Sequence, residues 1–68
     1  MKNNLKMYRA LRGLTQTEVA EKIGVSRQTI HAIETGKYIP STLLALKLAR
    51  LLQVQVEQLF ELDANETP

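Results

Sequence analysis

The sequence predicts an all-α fold of five short helices within a single domain spanning residues 1–68. Three observations carry that expectation. Gln16 to Thr35 reads as two capped helices joined at a glycine. The leucines and alanines that follow Pro40-Ser41 read as a further, strongly apolar helix. Short apolar repeats on either side read as a first helix at Asn4–Arg12 and a fifth at Val56–Phe60.

In the first helix, Leu5, Tyr8 and Leu11 lie three apart and supply an apolar face, and Gly13 stops it. Thr15 then begins a capping box. Its hydroxyl can accept from the Glu18 amide, Glu18 can reach back to the Thr15 amide, and Leu14 and Val19 stand at staple spacing around them. Val19, Ala20 and Ile23 continue one apolar stripe until Gly24, a residue that tolerates a left-handed backbone, ends the second helix. Only Val25 separates that glycine from the next cap, Ser26, which is too short for a hairpin or a flexible linker.

The third helix divides by side. At 100° per residue, Ile30 and Ile33 point one way with Thr29 beside them, while Arg27, Gln28, His31, Ala32 and Thr35 gather opposite. Arg and Gln suit bidentate contacts with guanine and adenine edges, and Ala32 suits a thymine methyl. An ordinary solvated face on an amphipathic helix is the plain alternative. Gly36 ends this helix, Pro40 cannot continue one, and Ser41 caps the fourth. Its leucines at 43, 44, 46, 48, 51 and 52 are too many for one narrow stripe, so most of its surface is expected to be buried, in this domain or against a second subunit. Lys47 and Arg50 mark its wet side.

Both ends of the chain admit two readings. Met1–Leu5 can start the first helix or run extended. Phe60-Glu61-Leu62 can be a strand, giving a small terminal β-pairing between residues 1–5 and 60–63, or the start of a disordered tail. Residues 64–68 are polar, acidic and expected to be flexible.

The formal net charge of +2 is unevenly placed. Residues 1–50 hold nine Lys/Arg against three Glu, whereas residues 51–68 hold four acidic groups and no Lys/Arg. A basic body with an acidic end suits a phosphate-facing surface. There is no Cys and a single His, which leaves no disulfide, no metal-ligand cluster and no nucleophile–base pair. No catalytic residue, metal or cofactor is therefore assigned. No apolar run suits a membrane span or a signal peptide, so no membrane partner is expected and the cytoplasm is the expected compartment.

The segment GLTQTEVAEKIGVSRQTIHAIETGK, with Gln16, Ala20, Gly24, Ile30, Ile33 and Gly36 in register, resembles the helix-turn-helix of the Xre family, the lambda/Cro-type phage and bacterial repressors. The similarity covers roughly residues 4–60. It implies a five-helix lambda-repressor-like domain with its helix-turn-helix at 16–35 and its third helix in the DNA major groove. It also implies that Gln16 donates to a phosphate at the positive end of its helix, and that Arg9 pairs with Glu34 as a structural salt bridge. Base reading then falls to Arg27, Gln28, His31 and Ala32. Phosphate contact falls to Gln16, Ser26, Thr29, Thr35, Lys37 and Tyr38. The plain alternatives are that Gln16 is only a first-turn residue, Ser26 and Thr29 serve capping and packing, Lys37 is a solvated charge, and Tyr38 is a core or dimer aromatic. A homodimer contact is expected at Leu44, Leu59, Phe60 and Leu62.

The chain departs from the family twice. Gln53 stands where glycine is usual, at a cost of up to ~1 kcal/mol if that residue is left-handed. Gln55 stands where Ser or Thr usually caps the fifth helix. The expected function is transcriptional regulation, most plainly repression at a palindromic operator on double-stranded DNA. An antitoxin, a restriction-control protein, or an interaction module without DNA binding are the alternatives. A protein antagonist is an open partner class.

Overall fold

The computed structural model describes residues 1–68. In chain order it contains β1 (Lys2–Asn3), α1 (Leu5–Leu11), α2 (Gln16–Ile23), α3 (Arg27–Glu34), α4 (Thr42–Leu52), α5 (Val56–Leu59) and β2 (Phe60–Glu61), then a 3-10 turn at Ala64–Glu66. The two strands pair antiparallel, Lys2 opposite Glu61 and Asn3 opposite Phe60. Met1–Leu5 therefore divides between the two readings: Leu5 opens α1 and is buried, and only Lys2 and Asn3 are strand. Phe60 leaves the expected fifth helix for β2, with an extended backbone at φ −128° and ψ 130°.

The caps set the helix starts. The Thr15 hydroxyl accepts from Glu18 N–H at 3.0 Å, and the Glu18 carboxylate accepts from Thr15 N–H at 2.9 Å. Ser26 accepts from Thr29 N–H, and Ser41 from Leu44 N–H, each at 3.2 Å. Gly24 turns the chain at φ 88°, so only three residues separate Ile23 from the start of α3. α1 starts differently. The Asn3 side-chain oxygen accepts from Leu5 N–H at 3.2 Å, while its amide nitrogen donates to the Ile33 carbonyl at 2.9 Å. One asparagine thus satisfies the first amide of α1, whose N-cap position is Asn4, and ties β1 to the end of α3.

Eleven apolar residues form the core, drawn from α1 to α5, with Leu5, Val19, Ile30, Leu48, Leu52 and Leu59 fully enclosed. α4 contributes Leu44, Leu48 and Leu52, spaced by four, with Ala49 beside them. The expectation that most of α4 is covered holds for that half alone, since Leu43 and Leu46 are 65% and 53% exposed. Leu11 also departs from the reading of α1, at 69% exposed. Two steps of three residues rotate by about 240°, which carries Leu11 well off the Leu5 face.

The α4–α5 connection carries both family departures. Gln53 is left-handed, at φ 59° and ψ 44°, the sole non-glycine residue in that region. The Gln55 side chain makes no capping bond, and Gln58 compensates by accepting from Gln55 N–H at 2.8 Å. The acidic tail, expected to be flexible over 64–68, contains the 3-10 turn, with Asp63 and Glu66 carboxylates 2.8 and 3.0 Å from the Met1 amino group.

Because Gln53 is exposed and makes no side-chain hydrogen bond, its conformation is its main energetic consequence. Gln53→Gly should raise stability by about 0.5–1 kcal/mol, read as a higher thermal midpoint. A midpoint that falls or stays put would count against strain at this residue.

Candidate nucleic-acid interface

α3 is held by its inner side. Ile30 and Ile33 are buried, Thr29 and Ala32 are half-buried, and Arg27, Gln28 and His31 are exposed. This leaves a guanidinium, an amide and an imidazole on one side of a helix whose opposite side is fixed in the core.

Glu34 anchors the end of that helix. Its side chain is 4% exposed; Oε2 accepts from Arg9 Nε at 2.6 Å, and Oε1 accepts from both Gln16 Nε2 at 3.0 Å and Arg9 Nη2 at 3.2 Å. Arg9, 15% exposed, also donates from Nη1 to the Leu14 carbonyl at 2.9 Å. One carboxylate therefore joins α1, α2 and α3. Burial pushes the Glu34 carboxyl up. Hydrogen bonds from Arg9 and Gln16, with the positive charges of Arg9 and Lys6, outweigh burial and hold it below the ordinary carboxylate range. The Glu34 hydrogen bond raises Arg9 in turn.

Gln16 sits at a crossroads. Its Nε2 lies 3.0 Å from Glu34 and 3.3 Å from His31 Nδ1. One amide hydrogen is engaged by Glu34, and the nitrogen's second contact faces the His31 ring, whose donor or acceptor role is set by its tautomer. An open cleft of about 540 Å³ adjoins it, lined by Arg9, Thr15, Thr17 and Arg27 among others, beside the amino end of α2. A second cleft, of about 390 Å³, shares no lining residue with the first and runs past Gln28, Thr29, Ala32 and Tyr38 to Val25 and Leu44.

The remaining assigned residues separate by what their polar atoms are doing. Ser26 Oγ and Thr29 Oγ1 share a hydrogen bond at 3.0 Å, which leaves one hydroxyl hydrogen between them free. Thr35 is exposed, but its hydroxyl donates to the His31 and Ala32 carbonyls at 3.0 and 3.2 Å. In this rotamer it can offer a phosphate no hydrogen. Lys37 is exposed with an unpaired ammonium, and Tyr38 is 44% exposed rather than a core aromatic. Leu44 and Leu59, expected at a subunit contact, are 8% and 0% exposed. Leu59 is enclosed in the subunit's own core, Leu44 is mostly core and only edges the second cleft, Phe60 is half-buried and Leu62 is exposed.

The sequence from residue 5 to residue 59 matches the helix-turn-helix family described by one profile. The chain belongs to that family. It is a Cro/C1-type, Xre-like DNA-binding regulator. A relative from Methanocaldococcus jannaschii, named as an HTH-type transcriptional regulator, is 56% identical over 66 residues, covering 97% of this chain and 100% of its own. Among solved structures, the restriction-modification controller protein C.AhdI from Aeromonas hydrophila is 32% identical with a TM-score of 0.76, over 82% of this chain and 85% of that one. The N-terminal DNA-binding domain of SinR from Bacillus subtilis is 31% identical, also at a TM-score of 0.76, over 88% of each chain.

Two residues of this helix-turn-helix domain carry roles that sequence reasoning missed. Asn3 holds the α3 terminus through the Ile33 carbonyl, thirty residues away, which no local pattern signals. Arg12 donates from Nε to the Leu52 carbonyl at 2.8 Å, bridging the ends of α1 and α4, and no local pattern announces that contact.

Replacing the buried carboxylate tests the anchor. Glu34→Gln should cost about 1–3 kcal/mol, more than an exposed pair contributes. Since folding lowers the Glu34 pKa, its stabilisation is present above the ordinary glutamate value of about 4.3 and is lost as pH falls through the lower folded value. Thermal midpoints of the parent and Glu34→Gln should therefore converge on acidification. A constant gap would contradict the assigned role.

Proposed function

We propose that this regulator is a cytoplasmic repressor that binds a palindromic operator as a homodimer, with α3 in the major groove. The observation that carries this reading is the state of Arg27 and Gln28. Both are exposed and without a protein hydrogen-bond partner, on a helix whose opposite side and end are fixed by the core and by Glu34. Arg27 is suited to guanine O6/N7 and Gln28 to adenine N6/N7, with Ala32 positioned for a thymine methyl. His31 is a further base reader. Lys37, Tyr38, Ser26 and Thr29 supply phosphate contacts, and the amino end of α2 at Gln16 adds a positive dipole end. The acidic residues after Leu51 favour an orientation with the C-terminal segment away from DNA.

The surface offered to a second copy is the exposed apolar groove between the 39–40 loop and α4. Ile39 and Leu46, at 62% and 53% exposed, line a cleft of about 250 Å³ with Pro40, Val56 and Phe60. Two copies related by a two-fold axis would read half-sites about 34 Å apart. The likeness to a restriction-modification controller favours one second reading, in which the regulated genes are those of a restriction system.

Selection of bound duplexes from a random library at roughly physiological salt tests the proposal. An inverted repeat is expected, and its spacing reports the dimer geometry. Failure to recover any motif from folded protein would replace this reading with that of an interaction module. On the selected operator, Arg27→Ala or Gln28→Ala should cost about 1–3 kcal/mol and relax preference at particular base pairs. Equal weakening on every sequence would remove them as base readers. Lys37→Ala should weaken all sequences alike and lower the salt slope by about one; an unchanged slope would take Lys37 off the phosphate list.

A further inference from the structure

We propose that Gln16, oriented by Glu34, holds His31 in the tautomer protonated at Nε2, so that His31 reads hydrogen-bond acceptors on a base edge and refuses amino groups. The base-reading half rests on the major-groove function proposed above. The tautomer half stands on the protein alone.

The argument runs from the carboxylate outward. An ionised glutamate only accepts hydrogen bonds, whereas the glutamine amide donates from Nε2 and accepts at Oε1. Glu34 is 4% exposed and paired with Arg9 at 2.6 Å. The Gln16 atom 3.0 Å from Glu34 Oε1 is therefore nitrogen, because the flipped amide would press two oxygen lone pairs together out of water. That same nitrogen lies 3.3 Å from His31 Nδ1. An N–H group facing a ring nitrogen needs a lone pair there, so Nδ1 carries no proton and the proton of the neutral ring sits on Nε2. His31 makes no other side-chain hydrogen bond. Thr35 engages only its backbone carbonyl.

The consequence is chemical polarity. His31 is exposed on the same side of α3 as Arg27 and Gln28, and its Nε2–H lies across the ring from Gln16. In the major groove a donor is matched by guanine N7 or O6, adenine N7 or thymine O4, and is opposed by the amino groups of cytosine and adenine. Gln16 and Glu34 act here as positioning residues. Neither touches the base, and together they choose what His31 can recognise.

The chain has one histidine, so its ring resonances identify themselves. Long-range 1H–15N spectra, recorded without DNA at pH 8, should show Nε2 as the protonated type and Nδ1 as the unprotonated type. In Gln16→Met, which removes the donor at similar length, the two nitrogens should move toward each other as the tautomers mix. A protonated Nδ1 in the parent, or an unchanged spectrum in Gln16→Met, would overturn the assignment. On the selected operator, the base pair under His31 should favour an acceptor over the cytosine amino group by about 2- to 10-fold. Gln16→Met and His31→Ala should each erase that preference while preferences at the Arg27 and Gln28 pairs persist. If the preference survives Gln16→Met, base reading does not depend on this relay and that half of the proposal fails. If no operator is recovered while the ring signature holds, the proposed function fails together with the base-reading half, and the tautomer is upheld by the spectrum.

Discussion

Glu34 sets the terms for the rest of this structure. A carboxylate with 4% of its side chain exposed is costly unless its oxygens are occupied, and Arg9 and Gln16 occupy them from two other helices. The requirement acts in both directions. The pair needs α1 and α2 where they are, and α3 cannot roll without breaking it. A core of eleven apolar residues leaves a small domain limited means to fix helix orientation by packing alone. Apolar contacts are tolerant of rotation, whereas two hydrogen bonds to one carboxylate from different helices are not. The buried charge thus supplies direction where the core supplies mass.

The same charge solves an electrostatic problem. Glu34 lies at the end of the helix that carries Arg27 and Gln28, where an uncompensated carboxylate would repel phosphate. Arg9 neutralises it inside the protein, and Lys37 remains unpaired just beyond it. The exposed side of α3 consequently carries no acidic side chain, although the helix itself contains one.

What could be read in the sequence follows the range of the interaction. Thr15, Glu18, Gly24, Ser26 and Ser41 act over three or four residues, and each helix start they announce is in place. The left-handed backbone at Gln53 was legible only against the family's usual glycine. The Arg9–Glu34 pair also came through resemblance, since no spacing rule links positions 25 apart. Leu59 misled because hydrophobicity records that a side chain avoids water, not whether its own subunit or another covers it. Leu11 misled because a three-residue period drifts around a helix. The Gln16–His31 contact was hidden for a different reason. Both residues were assigned outward, to a phosphate and a base, and nothing in their types says that they meet each other first.

The way α3 is attached has a consequence for how such a regulator changes over time. Residues 27 and 28 are exposed and outside the Glu34 network, so on the proposed reading codons there can drift to new target preferences with little effect on folding. Position 31 is not free in that way. Its partner at position 16 sits in another helix and answers in turn to Glu34. On the proposed relay, divergence at 31 has to travel with divergence at 16. If α3 reads bases as proposed, the recognition surface consists of two independent letters and one that is spelled by a pair, and descendants of this chain would acquire new operators most easily by rewriting the first two.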